Sequence, residues 1–303
     1  MSRARCILVS IGKGLLAGLV WQVGLIAGAV IAPLLGFEAP PSPPGVDPTL
    51  LLPLGVLIGA PVAILLGELN RRLRLPFVPR ALVVFLFNYL VYGVGQTLEQ
   101  VLFTVNASFG YGIVSGLVQA ALFALIVAAL WRPATTDRVI RDILPDFLRT
   151  RRPLDWIWRL AVAWLIYLPI YWGVGRLVSP IVAPLYEAAE FGLVLPETAA
   201  MIDMQYLRGA VYLLAVLPIV ALWPGPRRSL WLWLGAGLLI QIAATPILLA
   251  YWYPIPFRLA HALELAVDSF AQAVVYAQLL FTPQHAAGEA RTSPAVRRGD
   301  AAC

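Results

Sequence analysis

Apolar runs long enough to cross a lipid bilayer recur along this chain, at about 14–35, 50–67, 81–105, 111–131, 156–178, 206–223, 229–252 and 259–281. A spanning helix needs about 20 consecutive, mostly apolar residues. The pattern therefore predicts an all-α polytopic integral membrane protein with about eight transmembrane helices. Composition agrees: of 303 residues 60% are apolar and 13% charged, with a mean hydropathy of +0.82. Soluble domains carry about 25% charged residues, so a water-soluble enzyme of ordinary surface chemistry is excluded. The first run is too long for the roughly 7–15 residues of a signal-peptide core and reads as a retained span.

The eighth run holds His261, Glu264 and Asp268, and an Asp near a helix centre costs about 2.5–3.5 kcal/mol on insertion. Charge placement argues for it nonetheless. With eight spans, 19 of the 22 basic residues fall on one side with both termini, and only Arg176, Arg208 and Arg258 on the other. The opposite loops hold Glu38, Asp47, Glu187, Glu190, Glu197 and Asp203. Basic residues mark the cytoplasmic side, so both termini are expected in the cytoplasm and the protein in a plasma or inner cell membrane. Dropping the eighth span would put Arg291, Arg297 and Arg298 on the wrong face. The net charge of +6 is thus an orientation signal; there is no basic run of the kind that binds nucleic acid. The two cysteines, Cys6 and Cys303, match no zinc-ligand spacing.

The halves read as tandem four-helix units, 1–135 and 156–283. Each has an acidic outer loop, a Pro-containing second helix (Pro61; Pro218), an inner Arg pair (Arg71 and Arg72; Arg227 and Arg228) and an aromatic residue shortly before Pro at its end (Trp131 and Pro133; Phe281 and Pro283). Such repeats are common in transporters. Between them, 136–155 places Val139, Ile143 and Phe147 at helical spacing opposite Arg138, Arg141, Asp142 and Arg149. This predicts an amphipathic helix on the inner leaflet, bent by Pro145. The tail 284–303 lacks periodicity and is expected to be disordered. Gly pairs four apart (Gly14 and Gly18, Gly24 and Gly28, Gly55 and Gly59, Gly112 and Gly116) predict close helix contacts. Pro53, Pro61, Pro169, Pro218 and Pro246 should kink their spans.

At about 100° per residue, Arg258, His261, Glu264, Asp268 and Gln272 share one face of the eighth helix, and Asn88, Tyr92, Gln96 and Glu99 one face of the third. Ionisable groups within a span face a bundle interior or a wet cavity and are functional candidates. The inferred site is an outward-facing polar cavity lined by Glu99, Arg208, His261, Glu264 and Asp268.

Three readings of this cluster stay open. It is a structural ion-pair network, with Arg208 or Arg258 fixing helix register. It is a transport or proton-coupling site, in which His261 and the carboxylates exchange protons or ions. Or it is an intramembrane hydrolase, since His261, Glu264 and Asp268 lie on a stripe that a divalent metal accepts. The stretch Phe257-Arg258-Leu259-Ala260-His261 is similar to the Phe-x-x-x-His element of the CAAX-type membrane proteases. That family's paired Glu-Glu-x-x-x-Arg motif has no counterpart, and no second His precedes His285. No phosphate-binding loop, nucleophile elbow or dinucleotide fingerprint occurs, and no cofactor is implied. The reading carried forward is a small-solute or ion transporter, or a permease-like component, in which Glu264 and Asp268 carry the ion or proton, His261 titrates with them and Arg208 supplies counter-charge. A structural or assembly subunit is the alternative, and a homo-oligomer or a permease partner is compatible with either.

Overall fold

The computed structural model describes residues 3–42, 45–105, 107–136 and 138–282; the predicted disordered tail lies outside them. Among the described residues the chain is helical without β-strands, and eight helices are long and apolar enough to cross a membrane. They are α1 (Ala4–Leu34), α2 (Thr49–Arg72), α3 (Phe77–Phe103), α4 (Phe109–Leu130), α6 (Pro153–Glu187), α7 (Thr198–Leu222), α8 (Arg227–Leu249) and α9 (Ile255–Leu280), with a short helix α5 (Ile140–Arg149) between α4 and α6. The chain is an all-α multi-pass membrane protein. Its outward faces carry the residues lipid requires: on α1, Leu8, Leu15, Leu19, Ile26 and Val30 are exposed while Ala17 and Trp21 are buried.

Glycine sets how closely the first helices approach. A Cβ on Gly28 would lie 2.6 Å from the Cα of Ser115, and one on Gly24 2.8 Å from that of Gln119. On the other side of α1, a Cβ on Gly59 of α2 would lie 2.9 Å from the Cα of Gly18. One helix thus uses its first Gly pair against α2 and its second against α4. In lipid this replaces the hydrophobic drive that water would supply. Trp21 fills the space inside, with ring centroids 4.8 Å from Tyr92 and 4.9 Å from Phe123.

Two helices depart from the regular ladder. Residues Tyr89–Val94 of α3 and Ile240–Ala244 of α8 form π-helical turns. In α3 the N–H of Gly95 reaches the carbonyl of Leu90, and in α8 that of Thr245 reaches Ile240, five residues back in each. Thr245 reinforces its turn with a 2.6 Å bond from Oγ1 to the same carbonyl. Pro246 follows at once and has no N–H to give the carbonyl of Ile242. Gln96 of α3 donates to that carbonyl instead, at 3.4 Å. The two π turns pack against each other.

Other departures from expectation have local causes. The helix broken before Pro169 loses its regular ladder at Ile166, next to the carbonyl of Leu165 that a proline nitrogen cannot serve. Beyond it α6 runs on to Glu187, so the long loop expected over 179–205 shrinks to residues 188–197. That loop is tied to the end of α3: Val105 donates to Gly192 at 3.0 Å and Val194 to Phe103 at 2.9 Å. The expected amphipathic helix forms as α5, continuous over Ile140–Arg149 with Pro145 inside it. Phe147 of α5 is buried against Trp156 at 4.8 Å, seating α5 between α7 and the start of α6.

Candidate functional site

The polar residues of α9 alternate with Leu263, Leu265 and Val267, so that as the helix winds from its acidic end His261, Glu264, Asp268 and Gln272 come round to the bundle interior. His261 keeps 20% side-chain exposure and Glu264 6%. Asp268 is buried at 3% and Gln272 at 1%. His261 Nδ1 lies 3.0 Å from Glu264 Oε2, one turn apart. Glu264 reaches inward because the facing position on α6 is Gly175: a Cβ there would lie 3.1 Å from Glu264 Oε1.

Arg208 enters from α7 and is fully buried. It donates to Glu99 Oε2 of α3 at 2.7 Å, to Gln205 Oε1 at 3.1 Å and to the Tyr212 hydroxyl at 3.0 Å. Its guanidinium also sits 5.7 Å from the ring of Tyr167 and 5.6 Å from that of Tyr212. Helices α3, α6, α7 and α9 thus converge, and the charges of Arg208, Glu99 and Glu264 all act on Asp268.

The charge arithmetic of this cluster is unbalanced. Three carboxylates face one guanidinium, and Arg208 spends its ion pair on Glu99. Glu264 has the imidazole of His261. Asp268 has no donor on either oxygen, and Gln272 Nε2 beside it in the same helix has no acceptor. A buried carboxylate without donors is costly as an anion. A proton or an accompanying small cation would remove that cost. Among the described residues no group of three or more His, Cys, Asp or Glu is placed to hold a metal.

Aromatic side chains gather beside His261. Phe257 lies 4.5 Å and Tyr186 6.5 Å from the imidazole, with Tyr253 5.1 Å from Phe257 and Phe191 5.6 Å from Tyr253. The turn that carries Phe191 is strained: Ala189 and Phe191 have φ of 52° and 57°, a left-handed conformation that residues with a Cβ adopt at a cost of about 1–2 kcal/mol each.

All five residues inferred from sequence are within this region, with corrections. Glu264 and Asp268 are buried rather than lining an open outer vestibule. Arg258 does not join the carboxylates; its Nε donates to the Ile247 carbonyl of α8 at 2.9 Å. The α3 stripe does not stay together either. Asn88 donates to Gln119 of α4 at 3.0 Å, whereas Glu99 pairs with α7. The π turn between them inserts a residue, which rotates everything after it by about 100°. Sequence reasoning missed Gln205, Tyr212, Tyr167 and Gly175. Gln205, Arg208 and Tyr212, at i, i+3 and i+7, were a readable signal. No family model, curated protein or solved structure matches the chain, so the chemistry rests on these residues.

Proposed function

We propose that the protein is a small-solute or ion transporter of a plasma or inner cell membrane, with both termini cytoplasmic and Asp268 as its proton- or cation-carrying group. The observation that carries this reading is the Asp268 carboxylate, buried at mid-span with no hydrogen-bond donor on either oxygen. A purely structural network would satisfy it, as Arg208 satisfies Glu99. Glu264 and His261 form a relay toward the acidic side, and Arg208 fixes α7 against α3 with its charge held in place.

Helix packing supports a transporter made of two parallel repeats. In the first half α1 packs on α2 and α4, and α3 on α4; in the second α6 packs on α7 and α9, and α8 on α9. Between halves α3 meets α7 and α2 meets α8, so the same pairs exchange on going from one half to the other. The third helix of each half carries the π turn. Such a pattern corresponds to an axis along the membrane normal, as in transporters with parallel repeats.

Proton flux into vesicles tests the reading without knowledge of the solute. The purified protein, reconstituted with a trapped pH-sensitive dye, should acidify the lumen when a potassium diffusion potential is imposed. A parallel arm loads radioactive sodium. Asp268→Asn should abolish whichever flux the native protein shows. Absence of both fluxes in the native protein, or full flux in a folded Asp268→Asn variant, would overturn the proposal.

A further inference from the structure

At the end of the bundle opposite the carboxylate cluster, a groove of about 690 Å³ opens between α3, α5, α6 and α7. Leu82 and Leu86 of α3, Leu144 and Leu148 of α5, and Leu214 and Leu217 of α7 are among the side chains of its wall. Its size is in the range of a specific small-molecule site, about 300–1,000 Å³. The walls offer contacts to hydrocarbon and almost nothing to a polar solute. Arg151 stands at the edge, the charged exception in the lining.

Arg151 does not stand alone. Its two terminal nitrogens donate to the carbonyls of Leu279 and Phe281 at 2.7 and 2.9 Å, and Arg159 donates to Leu279 at 3.0 Å. Arg227 donates to Gln278 Oε1 at 2.7 Å. Three guanidinium groups therefore gather round the end of α9. Asp155 is the carboxylate that acts on Arg151, against the like charges of Arg159 and Arg227. The final carbonyls of α9 carry only partial negative charge. Burial first, and then the two neighbouring arginines, lower the pKa of the Arg151 guanidinium from its ordinary value.

We propose that this groove is a binding site for an anionic phospholipid of the leaflet on the basic side, its acyl chain lying between α5 and the spans and its phosphate facing Arg151, Arg159 and Arg227. Basic pockets between helices on the cytoplasmic side take anionic headgroups, and here Arg151, grouped with Arg159 and Arg227 round the end of α9, lines an apolar slot. The amphipathic α5 forms the outer wall. Its Leu144 and Leu148 are 42% and 53% exposed, so the slot stays open to a lipid tail from the side. The site is independent of the carboxylate cluster and of what that cluster transports.

Native mass spectrometry of the full chain in mild detergent tests it, with phosphatidylglycerol, phosphatidylcholine, oleate and inorganic phosphate added separately. One phosphatidylglycerol should be retained at least about tenfold more tightly than phosphatidylcholine, and neither oleate nor phosphate alone should reproduce it. Arg151→Gln should weaken retention about fivefold, the share of one arginine near a membrane surface. Leu144→Trp fills the slot from its exposed side while leaving every charge in place, and should weaken retention about tenfold; Leu57→Trp, on the lipid face of α2, should leave it unchanged. Equal retention of the two phospholipids, tight binding of phosphate alone, or native retention in a folded Leu144→Trp variant would overturn the proposal. Leu148→Trp serves if Leu144→Trp does not fold.

Discussion

Arg208 of α7 holds Glu99 of α3 at 2.7 Å, with the arginine fully buried and the carboxylate a quarter exposed. The asymmetry determines what each substitution costs. Removing Glu99 leaves a buried cation with Gln205, Tyr212 and two aromatic faces; removing Arg208 leaves a carboxylate that water can still reach.

Glu99→Gln should therefore destabilise more than its partial exposure suggests, by about 3 kcal/mol, the low end for breaking a buried pair. Arg208→Gln should cost less than that through Glu99 but lose the bonds to Gln205 and Tyr212 as well. The double variant should recover part of the summed loss. Thermal unfolding in detergent gives all three values, and strict additivity would show that the pair is not coupled.

Asp268→Asn should melt no lower than the native protein, even as it removes flux. The native carboxylate has no donor to lose, and an amide of equal size avoids burying a charge. A fall in melting temperature comparable to that of Glu99→Gln would show that Asp268 is structural.

Gly28→Ala should destabilise by about 1–3 kcal/mol, the usual cost of overpacking, because its Cβ would meet Ser115 at 2.6 Å. Gly12→Ala in the same helix is the control, since nothing lies within 4 Å of a Cβ there; it should be neutral or slightly stabilising. Equal effects would mean that α1 and α4 are not in close contact.

Ala189→Gly should stabilise by about 1 kcal/mol by relieving a left-handed backbone. Its φ of 52° is comfortable for glycine, and the residue is exposed, so little packing is lost. An unchanged or lower melting temperature would show that the turn before Phe191 is not strained.

Asp47 caps α2 by accepting from the backbone and hydroxyl of Thr49 at 2.9 and 2.7 Å. These bonds hold its carboxyl below the usual carboxylate range. The folded value being depressed, the cap is intact above the ordinary carboxylate titration near about pH 4 and is lost as pH falls further. Hydrogen-exchange protection at 49–52, referred to the intrinsic rate at each pH, should drop in that window and be low at every pH in Asp47→Ala.

How far the sequence revealed this molecule depends on period. The spans were legible because lipid demands unbroken apolar length, and each helix begins and ends within about ten residues of its predicted run. The inward face of α9 was legible because that helix is regular, so angles taken at 100° per residue remain true from His261 to Gln272. The face of α3 was not, since nothing in Tyr89–Val94 announces an extra residue, and one unseen residue redirects Glu99 relative to Asn88. Tyr167 lies uncharged inside a long apolar run, where nothing in the sequence sets it apart, and only the fold shows it buried beside Arg208. The basic groove was invisible for another reason: its wall joins residues 79–86, 140–160 and 214–222, and no local pattern encodes their meeting.

An inserted residue in a helix is also a stored displacement. If the π turn of α3 relaxed to an ordinary α turn by passing its extra residue along the helix, the segment beyond it would shift by about 1.5 Å and rotate by about 100°. Glu99 lies on that segment and Asn88 does not. The same slip in α8 would carry away the Ile242 carbonyl that Gln96 holds, so a reset of register in either helix would break that bond. The bond across the two turns is thus part of what keeps Glu99 turned toward Arg208.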